Sequence, residues 1–385
     1  MKKEKVLQVH NYYQIPGGED TVVANERKLL EENGHIVIQY NRNNGELKEF
    51  SKFKKILLPF TTIFNLKTYR EIKKIIREQN IDIVHVHNTL NLVSPSVYYA
   101  AIACGVPVVQ TVHNFRLVCP GATFYRDSHI CEDCLKHGLG CAIKHRCYRG
   151  SIMQTMACVL TTSVHRLTGI YNKINYLCLT DFTRQKMLQK YPKAKMFLKP
   201  NFVYDEGGKA DPEQYFLFVG RIEEIKGIRL LVEAFSKMPD IQLKIAGTGV
   251  LDEEIREKIQ TEHLSNIEML GFQPKNEVNH LLKHAQALIM CSQWYETFGM
   301  VIAEAYSNGT PVIVGNVGNI KDLVIDGNTG FLFDYDSVEG LVSAVRKMNK
   351  ADGRKLGENG YNLFKERLSA EANYAQLKDI YEKVE

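Results

Sequence analysis

The sequence predicts an α/β protein built as two Rossmann-like, doubly wound units, and three observations carry that prediction. Short apolar runs alternate with longer amphipathic stretches from residue 5 onward. A polar, glycine-containing stretch from Asp205 to Glu213 interrupts the alternation, which then begins again. With 385 residues, 44% of them hydrophobic and 24% charged, the chain is long enough to bury two cores. The units are expected over 1–200 and 201–360, followed by a helix over 361–385 that could return to the first unit.

In the first unit the pattern reads as a strand at Lys5–Val9, a helix at Thr21–Asn33, a strand at Ile36–Gln39 and a helix at Lys67–Gln79. A strand at Ile83–Val86, a helix at Val93–Cys104 and a strand at Pro107–Val112 follow. In the second unit, strands are expected at Phe216–Val219, Ile241–Ala246, Ile267–Leu270, Ala287–Cys291, Pro311–Val314 and Phe331–Phe333. Helices at Ile228–Lys237, Glu253–Ile259, Asn276–His284 and Gly299–Asn308 separate them, and Leu356–Glu385 reads as a last helix. Two such sheets would face each other across a cleft at their carboxyl ends, where ligands bind in this architecture.

Composition narrows the setting. The start, Met1-Lys2-Lys3-Glu4-Lys5, leads into an apolar run too brief for a signal peptide, and no stretch reaches a membrane span, so a cytoplasmic protein is expected. Nine cysteines in that compartment read as thiols or metal ligands. Residues 1–200 hold 29 Lys and Arg against 15 Asp and Glu, a net of +14, which leaves −9 for the rest. A basic first half suits an anionic partner such as a membrane surface or a lipid diphosphate. Between Phe50 and Lys74, lysines interleave with Ile56, Leu57, Phe60 and Phe64, a pattern fit for peripheral contact with the inner face of an anionic membrane. No nucleic-acid motif accompanies the charge, and nucleic acid is not expected as a partner.

The densest motif is Cys291-Ser-Gln-Trp-Tyr-Glu-Thr-Phe-Gly-Met-Val-Ile-Ala-Glu-Ala305. It sets Glu296 on a loop and Glu304 inside the following helix. The backbone amides of Phe298, Gly299, Met300 and Val301 would be the open donors of that helix, suited to phosphate. The plainer alternative makes Glu296 a helix cap and Glu304 a solvated residue. In a second cluster, Gly220, Arg221, Lys226 and Gly227 follow a buried strand and place two cations where a diphosphate leaving group would need them. Ala246-Gly-Thr-Gly249 lacks the third glycine of a dinucleotide fingerprint, which argues against a nicotinamide enzyme. In the first unit, Pro16-Gly17-Gly18-Glu19-Asp20 follows the first strand and opens a helix, letting backbone amides approach a phosphate or sugar.

Taken in order, these motifs, with Gly271-Phe-Gln-Pro274, Gly309-Thr-Pro-Val312 and Asp326-Gly-Asn-Thr-Gly330, resemble the retaining glycosyltransferases of family 4, of GT-B fold. The resemblance covers essentially the whole chain. It implies that Arg221 and Lys226 bind the donor diphosphate, Glu304 the ribose and Glu296 the donor sugar. It further implies that Gly17 and Gly18 face the diphosphate, that Glu19 and Asp20 touch the acceptor, and that His113 is the active-site histidine. Configuration would be retained by front-face attack, and no catalytic metal is expected. Asn114 and Asp322 stand where many relatives carry Asp and Glu. His85 and His87 end a strand and read as structural. A uridine diphosphate sugar as donor, a glycan or polyprenyl-diphosphate-linked acceptor and cell-surface polysaccharide assembly are the expected setting. A nucleotide-sugar epimerase of the same architecture and a non-catalytic glycan- or nucleic-acid-binding module are the alternatives.

The insertion at about 115–150 carries Cys119, Cys131, Cys134, Cys141 and Cys147. Its C-x2-C pair with two further cysteines suits a structural zinc held by Cys119, Cys131, Cys134 and Cys147, with Cys141 spare. It resembles an insertion in a bacterial polysaccharide-biosynthesis subgroup of the family.

Overall fold

The computed structural model describes residues 3–14, 17–208 and 212–385. Met1 and Lys2, Ile15 and Pro16 of the glycine loop, and residues 209–211 of the expected linker lie outside the described residues.

The chain divides into two compact units. The first comprises residues 1–124, 132–200 and 374–385, and the second residues 125–131 and 201–373. The first unit contains β1 (Lys5–Tyr12), α1 (Gly18–Glu32), β2 (Ile36–Asn43), α2 (Lys52–Ile63), α3 (Leu66–Gln79), β3 (Ile83–Val86), α4 (Ser96–Ile102) and β4 (Val108–Val112). A short hairpin, β5 (Tyr125–Arg126) with β6 (His129–Ile130), belongs to the second unit. The first unit resumes with α5 (Asp133–Lys136), α6 (Gly140–Lys144), α7 (Ile152–Leu167), β7 (Asn175–Cys178), α8 (Asp181–Leu188) and β8 (Lys195–Leu198). Its sheet is six-stranded, ordered β2-β1-β3-β4-β7-β8, and parallel throughout. β3 and β4 are buried along their whole length, as strands covered on both faces must be.

The second unit has β9 (Tyr215–Val219), α9 (Ile228–Ser236), β10 (Gln242–Ala246), α10 (Asp252–Thr261), β11 (Ile267–Gly271), α11 (Lys275–His284) and β12 (Ala287–Met290). α12 (Met300–Ser307), β13 (Val312–Gly315), β14 (Gly330–Phe333), α13 (Val338–Lys350) and α14 (Gly353–Leu363) follow. Its six parallel strands run β11-β10-β9-β12-β13-β14. Strand order therefore reverses between β1 and β3 in one sheet and between β9 and β12 in the other. Loops that leave the carboxyl ends of such neighbouring strands in opposite directions open a crevice, the usual ligand position in doubly wound sheets.

The single helix expected over Leu356–Glu385 is two. A wide turn over Phe364–Leu368 ends α14, and Ser369 starts α15 (Ala370–Val384) with its hydroxyl accepting from the Ala372 amide. From Tyr374 on, this helix belongs to the first unit, where Leu377, Ile380 and Tyr381 pack with Val6, Leu30, Ile83, Val109 and Leu177. Among the described residues no helix is long and apolar enough to cross a membrane.

Candidate active site

In the second unit the β9 and β12 ends are brought together by a backbone approach only glycine permits. Gly227 has φ +71°, and a Cβ there would lie 2.0 Å from the Cys291 carbonyl oxygen. This presses the loop bearing Lys226 against the loop bearing Glu296. Gly247 approaches in the same way, its imaginary Cβ falling 1.8 Å from the Gly220 carbonyl oxygen. The Ala246-Gly-Thr-Gly249 stretch thus braces the Gly220–Arg221 loop, a packing use for glycines that look like half a dinucleotide motif.

Glu296 is the focus of this half. Its Oε1 accepts from Lys226 Nζ, from Ser292 Oγ at 2.7 Å and from Trp294 Nε1 at 2.8 Å. Burial alone would raise its pKa, but the Lys226 charge and the three donors hold it below the usual carboxylate range. Lys226 also sits 5.5 Å from the Trp294 ring centroid. The sequence pointed to Lys226 and Glu296 but not to each other, and it missed Ser292 and Trp294 as donors. Their place within the same six residues was the available signal.

Gly299, at φ +92°, turns the chain into α12, and no side chain caps that helix. The first amides of α12 at Met300 and Val301 have no carbonyl one turn back within the helix, which leaves a positive end suited to an anion. Phe298 is buried just before it. One turn in, burial raises the Glu304 carboxyl pKa, with Lys275 opposing and Glu206 adding. Arg221 is turned outward, 61% exposed and 2.8 Å from Glu223.

The first unit gathers a different set. At the end of β1, fully buried His10 places Nε2 2.9 Å from Asp20 Oδ1 and Nδ1 3.9 Å from Glu19 Oε1. Asp20 Oδ2 in turn accepts from the Gly17 amide at 3.1 Å, which fixes the glycine turn at the start of α1. Burial pushes the Glu19 carboxyl up to about 8, and Asp20 adds to this while Arg116, Tyr13 and Asn114 oppose it. Gly18 opens α1. Asn114 joins this cluster, its amide 3.3 Å from the Tyr13 hydroxyl.

His113 directly follows β4 and lines a cavity of about 70 Å³ with His87, Asn88, Gln110, Asn114 and Arg116. Its Nε2 lies 3.0 Å from His87 Nδ1, and the two rings stack at 5.3 Å. Behind them stands Glu26 of α1, with Oε1 3.2 Å from His87 Nε2 and 3.0 Å from His85 Nδ1, and Oε2 accepting from Lys199 Nζ at 2.9 Å. The two histidine approaches to Oε1 are off the hydrogen-bond axis. His85 further meets Thr111 Oγ1 at 2.7 Å and Tyr381 OH at 2.8 Å. Burial, with His87 close by, keeps His113 well below its ordinary pKa, and burial takes His85 down to about 3. His113 is therefore neutral at physiological pH and can exchange hydrogen bonds with hydroxyl groups.

His85 and His87 remain core residues, yet His87 is the group that touches His113. Glu26 was missed altogether, although an acid among Val22, Val23, Leu29 and Leu30 on the inward stripe of α1 was a readable anomaly. Among the described residues, Glu26, His85 and His87 are the one trio of His, Cys, Asp or Glu whose ligand atoms lie within 4.8 Å of each other. The Lys199 ammonium already supplies the cation for that carboxylate, so the trio does not suit a divalent metal.

The cysteine sulfurs are not gathered so tightly. Burial and the neighbouring Cys119, Cys147 and Cys141 push the Cys134 thiol up to about 12, while Cys131 takes a contact from Arg126 Nε at 3.3 Å. Cys141, left spare by the sequence, is thus among the groups around Cys134. Within the first unit, Cys119, Cys134, Cys141 and Cys147 suit zinc chemically, but among the described residues no three of their sulfurs lie within 4.8 Å of one another.

Comparison with known proteins agrees with this two-part layout. Residues 16–136 match the model of "Glycosyltransferase Family 4" and residues 203–363 that of "Glycosyl transferases group 1". An uncharacterized glycosyltransferase of Methanocaldococcus jannaschii is 25% identical over 99% of this chain and 98% of its own. The Escherichia coli UDP-Gal:alpha-D-GlcNAc-diphosphoundecaprenol alpha-1,3-galactosyltransferase is 24% identical over 83% of this chain and 80% of its own. Among solved structures, HepE of Anabaena in complex with UDP superimposes with a TM-score of 0.69 at 14% identity, over 98% of this chain and all of that one, a likeness of fold. With both models matched in order and both sheets in place, the chain carries a family 4 glycosyltransferase domain followed by a group 1 glycosyltransferase domain and has the GT-B fold.

Proposed function

We propose that this glycosyltransferase moves a hexose from a uridine diphosphate sugar to a glycan or polyprenyl-diphosphate-linked acceptor, with retention, during assembly of a cell-surface polysaccharide. The observation that carries the donor half is the Lys226–Glu296 pair at the β9/β12 reversal, beside the uncapped start of α12. Lys226 and Arg221 would neutralise the departing diphosphate, and the Phe298–Val301 amides would hold its oxygens. Glu304 would accept from the ribose hydroxyls and Glu296 from those of the sugar. The bond from the anomeric carbon to the diphosphate breaks, and one to the acceptor oxygen forms on the same face. The acceptor's proton leaves to the released phosphate oxygen. Neutral His113 would position a sugar hydroxyl, and Gly17, Gly18, Glu19 and Asp20 the phosphate and acceptor ends. The names of the E. coli relative and of the HepE complex support a uridine nucleotide and a lipid diphosphate acceptor.

The test is a panel of nucleotide sugars scored by thermal stabilisation and nucleotide release, with product anomers assigned by NMR. One uridine diphosphate sugar should stabilise the protein and turn over, Glu296→Ala should lose the effect, and Arg221→Ala should need about tenfold more donor for it. No response to any nucleotide sugar would defeat the reading, and an epimerised free donor would favour the epimerase. On donor chemistry alone we also propose a structural zinc on Cys119, Cys131, Cys134 and Cys147, whose binding would draw the sulfurs together. Elemental analysis should then find about one zinc per chain. The work would take place at the cytoplasmic face of the membrane.

A further inference from the structure

Two helices of the first unit wear their faces in reverse. A helix on a core in water turns its apolar stripe inward. α7 instead buries Thr155, Thr161, Thr162 and His165 beside Cys158 and Val159. Outward it shows Met153, Met156, Leu160 and Leu167, which are 75%, 40%, 47% and 88% exposed. α2 buries only Thr62 and exposes Phe53, Ile56 and Phe60 at 69%, 69% and 67%. Spacings of three, four and seven place each set on one side of its helix. The helices are neighbours, since His165 Nε2 of α7 lies 2.8 Å from the Ile63 carbonyl oxygen at the end of α2.

Charge identifies what these faces meet. No Asp or Glu occurs between Glu49 and Glu71, where Lys52, Lys54, Lys55, Lys67 and Arg70 fall. None occurs between Asp133 and Asp181, a stretch that carries Lys144, Arg146 and Arg149 just ahead of α7. Large exposed apolar side chains amid cations and no anions are what an anionic lipid surface selects, by insertion and by attraction together. Beneath the pair, Thr62 of α2 and Thr161 and Thr162 of α7 line the cavity that also holds His113.

We propose that α2 and α7 together form a two-helix platform that docks the protein on an anionic bilayer, with the polar cavity at His113 lying directly under it. The platform stands on its own observations; only its service to a lipid-borne acceptor rests on the proposed function. It also gives the reversed faces a common sense, with lipid outside and hydroxyl-rich ligand inside.

The experiment is flotation of the full chain with phosphatidylcholine vesicles, with and without about 30 mol % phosphatidylglycerol. Recovery should be about tenfold higher on the anionic vesicles and should fall with salt. The triple variants Phe53→Ser/Ile56→Ser/Phe60→Ser and Met153→Ser/Leu160→Ser/Leu167→Ser should each cut binding about tenfold, with circular dichroism and thermal midpoint preserved. Absence of flotation, equal binding to neutral vesicles, or an α7 variant that floats like the wild type would overturn the proposal. Wild-type dimers split into monomers by the same substitutions would assign the face to a second copy of the chain instead. Failure of the donor reading would show as no nucleotide response with flotation intact, so the two can fail separately.

Discussion

Each unit pairs a carboxylate with a lysine, but Glu26 and Lys199 are sealed whereas Glu296 and Lys226 stand at an opening. Both members of the first pair have no exposed side-chain surface, while the Lys226 side chain is 22% exposed. A sealed pair gave up its water on folding and is closed to any ligand, so its charge orients what surrounds it. An open pair can trade one partner for a ligand, which is what a diphosphate would ask of Lys226. Burial of the same chemistry thus separates a pair fixed within the fold from one that a ligand can reach.

The largest effect should come from breaking the sealed pair. Glu26→Leu strands the Lys199 charge and should cost about 3–5 kcal/mol of stability, read as a fall in the urea midpoint. The double variant Glu26→Leu/Lys199→Met should recover most of that loss, since two apolar residues replace two charges. At the open pair the cost should fall on turnover instead. Glu296→Gln keeps acceptors for Ser292 and Trp294 and should change stability by less than about 1 kcal/mol, while kcat drops about 10²–10³-fold.

Acidity sharpens the contrast further. The Glu19 pKa is raised from 4.5 to about 8, so the folded state holds a proton that the unfolded chain releases. Stability from this group is full below pH 4.5 and declines as pH rises toward 8. Glu296, whose pKa is lowered, has the opposite sign: its contribution is present above the ordinary carboxylate range and is lost as pH falls through its lowered value. Glu19→Gln should therefore flatten the thermal midpoint between pH 5 and 8 and gain more than about 1 kcal/mol at pH 8. The smallest structural effect belongs to exposed Arg221, whose replacement by Ala should leave stability within about 0.5 kcal/mol and raise the donor KM about tenfold.

Regular structure was readable wherever apolar runs were short and bounded. Phe216–Val219 and Ile267–Leu270 each grow by one residue into β9 and β11, and Ile83–Val86 is β3 without change. The helix expected from Val93 starts at Ser96, because Ser94 is held at φ +63° and Pro95 takes the cap position. The residues that meet at the β9 and β12 ends were legible because they lie within two short loops of the chain. The histidine chain was not, since Glu26, His87, His113 and Lys199 come from four distant elements and only the packed sheet brings them into line. The reversed face of α7 was missed for a different reason: alternation of Thr with Met and Leu gives a helical period but no sign of which side faces the core.

The hydroxyl of Tyr381 meets His85 across 296 positions of sequence, and the helix α15 packs on a sheet whose strands all precede residue 200. A ribosome therefore releases the whole second unit before the element that finishes the first. At roughly 5–20 residues per second, the early sheet waits on the order of ten seconds or more with Val6, Ile83 and Val109 uncovered. The order of assembly is inverted relative to the order of synthesis: residues 201–373 can mature first, and the amino-terminal unit closes last.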